Sequence, residues 1–240
     1  MINGKRIAAV VLAAGNGRRM QSSIKKQYMM IRNKPVIYYS LKTFEDSFAD
    51  EIILVVSKGE IPYCRDEIVK RYDLDRVTRI VEGGKERYHS VYQGIRACSP
   101  CDYVYIHDGA RPMLTGEMLN RLQTAVETYG ACVAGMPSKD TVKIADENGM
   151  VQLTPDRNLV WTVQTPQVFS YSVIKEAYER LMEEEQRLLA EKIAITDDAM
   201  VVETLLRKKI RLVEGDYRNI KITTPEDLKI AEEFLKDFNR

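Results

Sequence analysis

Two glycines one residue apart, Gly15 and Gly17, lead into Arg18 and Arg19, and Lys25 and Lys26 follow, which places four cations within nine residues. Glycines at that spacing let backbone N–H groups come close to an anion, and the cations add charge to the same place. The segment therefore suits a polyphosphate. A dinucleotide site would want a third glycine where Met20 stands and an acidic residue about 20 positions further on at a strand end. Neither is present, which disfavours a hydride-transferring oxidoreductase. The P-loop ending Gly-Lys-Ser/Thr is also missing. What remains is a phosphate loop richer in cations than a dinucleotide requires, as a triphosphate would need. The competing reading is a structural loop with solvated arginines.

Other chemistries find little support. The two histidines, His89 and His107, belong to no Ser-His-Asp set and read as packing or hydrogen-bonding residues. Cys98-Ser-Pro-Cys101 has redox spacing, but it falls between a helix and a strand rather than at a helix N-terminus after a strand. No second cysteine pair accompanies it, so with Cys64 and Cys132 it is expected to stay a reduced thiol.

The elements that must position the loop alternate through the first half of the chain. Apolar, β-rich runs fall at residues 7–14, 51–57, 78–81, 103–107 and 131–136, with amphipathic stretches at 35–44, 66–72, 88–97 and 115–129 between them. That rhythm implies parallel strands with crossover helices, hence an α/β fold with a doubly wound, mostly parallel, Rossmann-like sheet. Ligands of such sheets bind outside the carboxyl ends of the strands, where the glycine loop lies. After Pro137, two short β-runs, 141–145 and 150–154, flank Asp146-Glu147-Asn148-Gly149 and predict a hairpin. A lone hairpin is marginal in water. It is expected either to pack on a second protomer, making a homodimer, or to fold back on its own domain. Residues 161–169 return to the core, helices follow at 171–189 and from Thr196-Asp197-Asp198 to 206, a strand at 210–213, and a last helix opening at Thr224-Pro225-Glu226-Asp227.

One domain spanning residues 1–240, with a β-arm at about 138–157, suits the length and the 45% apolar content. Lys plus Arg number 36 against 35 Asp plus Glu, and no basic stripe stands out, so nucleic acid is not an expected partner. No apolar run reaches the roughly 18 residues of a membrane span. The apolar stretch at 7–14 runs straight into the glycine loop and reads as a buried strand rather than a signal peptide, so a cytoplasmic location is expected.

The stretch Ala13-Ala14-Gly15-x-Gly17-x-Arg19-Met20 with Lys26-Gln27-Tyr28 resembles nucleotidyltransferases that activate sugar phosphates. Further along stand Gly83-Gly84-x-x-Arg87-x-x-Ser90-Val91, His107-Asp108-Gly109-Ala110-Arg111-Pro112 and Asp140-Thr141. Asp156-Arg157, Trp161-Thr162-Val163-Gln164-Thr165-Pro166-Gln167, Ile195-Thr196-Asp197-Asp198 and Asn219-Ile220-Lys221-Ile222-Thr223 follow. In that order and spacing, and over nearly the whole chain, the sequence resembles the 2-C-methyl-D-erythritol 4-phosphate cytidylyltransferase family of the non-mevalonate isoprenoid pathway.

The resemblance implies attack of a phosphate monoester on the α-phosphorus of CTP, with pyrophosphate leaving. With a second pKa near 6 the monoester is already a dianionic nucleophile at neutral pH, so no general base is needed. The site must instead gather cations around two polyanions, helped by Mg²⁺. By resemblance, Arg19 and Lys26 stabilise the α-phosphate while Arg157 and Lys221 hold the attacking phosphate. Ala14, Gly15, Gly17, Gly84 and Ser90 fall on the CTP side. Asp108 falls near the ribose and is the candidate metal contact, and Arg111, Thr141 and Thr165 lie toward the acceptor. Thr141 and Arg157 would reach the neighbouring protomer's site on the arm. Arg18 and Lys25 match less tightly and read as solvated neighbours, and Asp216 is a candidate orienting partner for Lys221. Gly109 and Val160 stand where the family often has alanine and leucine, and Lys85 where an acidic residue can occur. A pentitol-phosphate cytidylyltransferase, such as one for ribitol 5-phosphate, is the nearest rival. Such an enzyme tends to carry Ser-Val between the positions of Asp108 and Arg111 and to lack the Trp161 pattern. A non-catalytic nucleotide-binding regulator is the reading from another class.

Overall fold

The expected alternation appears in the computed structural model, which describes residues 4–15, 20 and 24–237. In chain order the elements are β1 (Ile7–Ala13), α1 (Val36–Glu45), β2 (Glu51–Val56), β3 (Val77–Glu82), α2 (Arg87–Ala97), β4 (Tyr103–Asp108), α3 (Gly116–Tyr129) and β5 (Ala131–Pro137). Then come β6 (Ile144–Ala145), β7 (Val151–Leu153), β8 (Trp161–Ser170), α4 (Tyr171–Ala190), α5 (Asp198–Leu206), β9 (Arg211–Glu214) and α6 (Pro225–Asp237). Among the described residues seven strands form one sheet in the order β9-β5-β8-β4-β1-β2-β3.

Strand β8 alone runs antiparallel to its neighbours, β4 and β5. No crossover helix separates it from β5. The chain leaves β5 at the carboxyl end of the sheet, makes the arm, and re-enters from that same end, so it must run back.

Period-2 alternation in β1 divides the core into two layers. Ile7, Ala9, Val11 and Ala13 face α1 and α3 through Ile37, Leu41, Phe44, Leu119 and Leu122. Ala8 and Val10 face α2, α4 and α5 through Val91, Ile95, Ile174, Tyr178, Val201 and Val202. Helix α2 sits so close to the sheet that a Cβ on Gly94 would lie 2.3 Å from Val10 Cγ1. The caps follow from the sequence: Thr115 accepts from the Met118 N–H, Asp197 from the Met200 N–H, and Asp227 from the Thr223 and Thr224 N–H groups.

The hairpin forms, though its ladder is shorter than expected, at 144–145 and 151–153. Asp146 Oδ1 accepts from the Asn148 and Met150 N–H groups, and Gly149 takes φ +79° in the turn. Ile144, Met150, Val151, Leu153 and, just beyond the ladder, Leu159 are all exposed. The described arm thus presents an uncovered apolar surface. No described helix is long and apolar enough to cross a membrane.

Candidate active site

A cavity of about 270 Å³ opens where β1 and β4 end, near the lower limit for small-molecule sites. One wall is the exit of β1 and the turn after it, Ala13, Ala14, Gly15, Lys26 and Gln27. The second is the segment entering α2, Gly84 to Arg87 with Ser90. The third is Asp108, Ala110 and Lys221.

The first wall is held by polar contacts. Gln27, 2% exposed, donates from Nε2 to the carbonyls of Ala13 (2.6 Å) and Gly15 (3.3 Å), while Ser57 Oγ donates to the Ala14 carbonyl at 3.1 Å. In the second wall the backbone is packed too tightly for a side chain. A Cβ on Gly84 would lie 2.4 Å from His89 Cβ, and one on Gly83 would lie 2.6 Å from Ser90 Oγ. The Gly84 N–H donates to Ser90 Oγ at 3.1 Å. Glu86 and His89 close a capping box over the N-terminus of α2, which presents that helix end to the cleft.

Asp108 is the electrostatic centre. Its Oδ2 lies 2.6 Å from Lys221 Nζ and its Oδ1 3.3 Å from Arg87 Nε. Burial opposes its ionisation, but Arg87, then Lys221 and Arg111, outweigh it and hold the carboxyl far below the usual carboxylate range. Arg87 turns its fork to Asp198, both nitrogen–oxygen distances being 2.8 Å, and Tyr178 Oη donates to Asp198 Oδ1 at 2.6 Å. Burial works against the charge on Arg87, yet Asp198 and Asp108 raise its pKa above the ordinary value. The result is an alternating chain of charge from Lys221 through Asp108 and Arg87 to a fully buried carboxylate.

Behind Asp108 the backbone is fixed as well. Its N–H donates to Thr165 Oγ1 at 3.0 Å, and that hydroxyl lies 3.1 Å from His107 Nδ1. His107 Nε2 faces the Arg111 carbonyl at 3.3 Å, which can only accept. Nε2 therefore carries the proton, Nδ1 accepts from Thr165, and the ring is neutral. Burial pushes His107 down to about 4, in keeping with that state.

Of the residues singled out from sequence, Ala14, Gly15, Lys26, Gly84, Ser90, Asp108 and Lys221 meet in this cleft. Gly17, Arg18 and Arg19 lie outside the described residues. Lys25 turns away and pairs with Glu60 at 2.6 Å. Thr165 is buried beneath Asp108, not in the lining. Arg111 also lies behind the lining, its Nη1 donating to the Asn219 carbonyl at 2.7 Å, with a buried Nε that has no hydrogen-bond partner among the described residues. Thr141 and Arg157 stand exposed on the arm, away from this chain's own cleft. The expectation for Asp216 is corrected. Its carboxylate is taken by Arg218 at 2.7 Å, and the partner of Lys221 is Asp108.

Arg87 and Asp198 went unassigned from sequence, although a signal existed. Arg87 is the first residue of α2, where a cation opposes the helix dipole and calls for an anionic partner. The four cysteines carry free thiols, and burial pushes Cys98 and Cys101 up, Cys101 to about 12, leaving neither poised as a thiolate.

Among the described residues no cluster of three metal-ligating side chains occurs. Asp108 would therefore offer a metal no more than a single carboxylate contact, and a cation held there would offset charge on bound phosphates.

Comparison with known proteins agrees along the chain. The family model for 2-C-methyl-D-erythritol 4-phosphate cytidylyltransferase (IspD) matches residues 7–237. The chain is 51% identical over 233 residues to the protein of that name from Lachnoclostridium phytofermentans, covering 97% of each. It is 53% identical over 229 residues to the one from Lachnospira eligens, covering 95% of this chain and 98% of the other. Among solved structures, 4-diphosphocytidyl-2C-methyl-D-erythritol synthase from Anaerococcus prevotii superposes with a TM-score of 0.84 at 34% identity, covering 98% of both chains. The Thermus thermophilus cytidylyltransferase gives 0.74 at 26% identity, covering 95% of this chain and 98% of the other.

Proposed function

The chain belongs to the 2-C-methyl-D-erythritol 4-phosphate cytidylyltransferase family, and from that premise we propose how its own residues join CTP to 2-C-methyl-D-erythritol 4-phosphate with release of pyrophosphate. The observation that carries this reading is the meeting of Lys26 and a carboxylate-pinned Lys221 in one cleft with the closely packed backbone of Gly84.

Cytosine docks against Ala14, Gly84 and Ser90, where backbone groups and one hydroxyl can read its polar edge. Gly15 and Gly17 bring N–H groups to the triphosphate. Lys26 and Arg19 stabilise the charge that builds on the α-phosphate, and Lys221 receives the attacking monoester. Held by Asp108 at 2.6 Å, Lys221 is already oriented before the substrate enters, so little reorganisation remains for the reaction. Arg111, whose buried Nε is unpartnered among the described residues, and Thr165 support the acceptor side from behind. Magnesium, contacting Asp108 and the phosphates of CTP, would neutralise charge on the leaving pyrophosphate.

The uncovered arm supports a homodimer in which Thr141 and Arg157 complete the partner's cleft, and the protein acts in the cytoplasm. Pyrophosphate release from CTP and Mg²⁺ is to be measured with 2-C-methyl-D-erythritol 4-phosphate and, separately, ribitol 5-phosphate. Turnover with the first at least tenfold more efficient is expected. Preference for ribitol 5-phosphate would overturn the acceptor, and silence with both would favour a regulator.

A further inference from the structure

We infer that Glu60, outside every motif that marks the site, is a positioning residue that aims Lys26 into the cleft; this rests on the role of Lys26 proposed above. Lys26 opens a one-turn 3₁₀ helix, Lys26–Tyr28, which follows Lys25 and has no side-chain cap. So short an element cannot fix a side chain by itself. Its neighbours are fixed instead. Gln27 is bonded to the carbonyls of Ala13 and Gly15 on one side. On the other, Glu60 takes both flanking residues at once, Lys25 Nζ at 2.6 Å on Oε1 and Tyr28 Oη at 2.8 Å on Oε2.

Both members of the ion pair are mostly shielded, with side-chain exposures of 28% for Lys25 and 20% for Glu60, so it is screened less than a surface pair. The phenol has one proton and gives it to Glu60. Cys64, whose thiol burial pushes up to about 11, lies 3.1 Å from Tyr28 Oη and donates to it. Burial likewise drives the Tyr28 phenol far above its ordinary pKa, so the hydroxyl stays a donor to the carboxylate. The Tyr63 ring packs edge-on against Tyr28 at 5.1 Å.

The clamp has two consequences. It draws Lys25 away, so that Lys26 is the lysine of the pair that lines the cavity, where its Nζ donates to the Ile222 carbonyl at 2.9 Å. It also ties the turn to the loop that leaves β2, whose Ser57 holds the Ala14 carbonyl. One loop, Ser57 to Glu60, thereby sets the spacing between Lys26 and the backbone that receives the nucleotide.

The test is a double-mutant cycle on kcat with CTP and 2-C-methyl-D-erythritol 4-phosphate, using Glu60→Ala, Lys26→Ala and the pair. Glu60→Ala is expected to lower kcat about tenfold while KM for the acceptor changes less than threefold, and to add less than twofold in the Lys26→Ala background. Tyr28→Phe, which removes only the hydroxyl, runs the same cycle and stands in if Glu60→Ala does not fold. Fully multiplicative losses would reduce Glu60 to a structural role, as would wild-type kcat in Glu60→Ala. If Lys26→Ala alone keeps wild-type kcat, the assignment of Lys26 fails and the inference about Glu60 falls with it. A slow Lys26→Ala with multiplicative Glu60 loss sinks the inference alone.

Discussion

At the residue scale the site depends on how charge is arranged around Asp108. Its carboxyl is held well below the usual range, so its ion pairs persist as pH falls from 7 to the unperturbed aspartate value of about 3.9. The acid limb of kcat/KM should therefore follow the acceptor's phosphate, near pH 6, and keep that position in Asp108→Asn while the plateau drops about 10². A limb that moves on substitution would show Asp108 itself titrating. His107 carries the opposite sign. Its folded pKa of about 4 lies below the unfolded value near 6.5, so the unfolded chain binds the proton first and stability is lost as pH falls between the two. Over that window the loss amounts to about 3 kcal/mol, about 2 kcal/mol of it between pH 7 and 4.5, and urea unfolding of His107→Asn at those two pH values should show about 2 kcal/mol less pH dependence than wild type. Equal dependence in both proteins would contradict the buried neutral ring. The glycines and cations of the first loop announce their chemistry by residue type, whereas Asp108 and Lys221 were reached only through the resemblance. That Asp108 rather than Asp216 holds Lys221 was not legible, since the choice depends on where β4 ends relative to a loop more than a hundred residues later.

At the scale of elements, the strands and helices of the first half could be read to within a residue or two. Buried parallel strands are continuous apolar runs, and caps such as Thr115 and Asp197 mark helix starts. The direction of β8 was not legible, because period-2 patterning carries no sign and only the missing crossover reveals it. In the first half the exception is the helical stretch at Ile61–Tyr63 and Cys64–Lys70, read only as 66–72 because its π-helical portion blurs the 3.6-residue period. The contact of α2 with β1 makes a separable prediction. In Gly94→Ala the new methyl would meet Val10 at 2.3 Å, and overpacking of this kind costs about 1–3 kcal/mol. Denaturant unfolding should show that loss while the folded fraction keeps its turnover, because Gly94 does not line the cleft. Unchanged stability would mean that α2 rests further from the sheet.

For the molecule as a whole, the arm leaves apolar side chains uncovered among the described residues. Ile144, Met150, Val151 and Leu153 are exposed together, an arrangement expected of an association surface. Sedimentation should give a dimer, and Met150→Glu with Val151→Glu should shift it to monomer and reduce turnover by removing Thr141 and Arg157 from the partner's cleft. An active monomer would refute the shared site. The hairpin itself was visible in the sequence through Asn148-Gly149, but the surface that covers it was not. The central claim is that charge gathered from distant segments performs the transfer, and Lys221→Met tests it most directly. Nucleotide affinity measured calorimetrically and kcat with 2-C-methyl-D-erythritol 4-phosphate should separate, with the dissociation constant of CTP within a few-fold of wild type and kcat lower by roughly 10²–10³. Wild-type kcat in Lys221→Met would contradict the account.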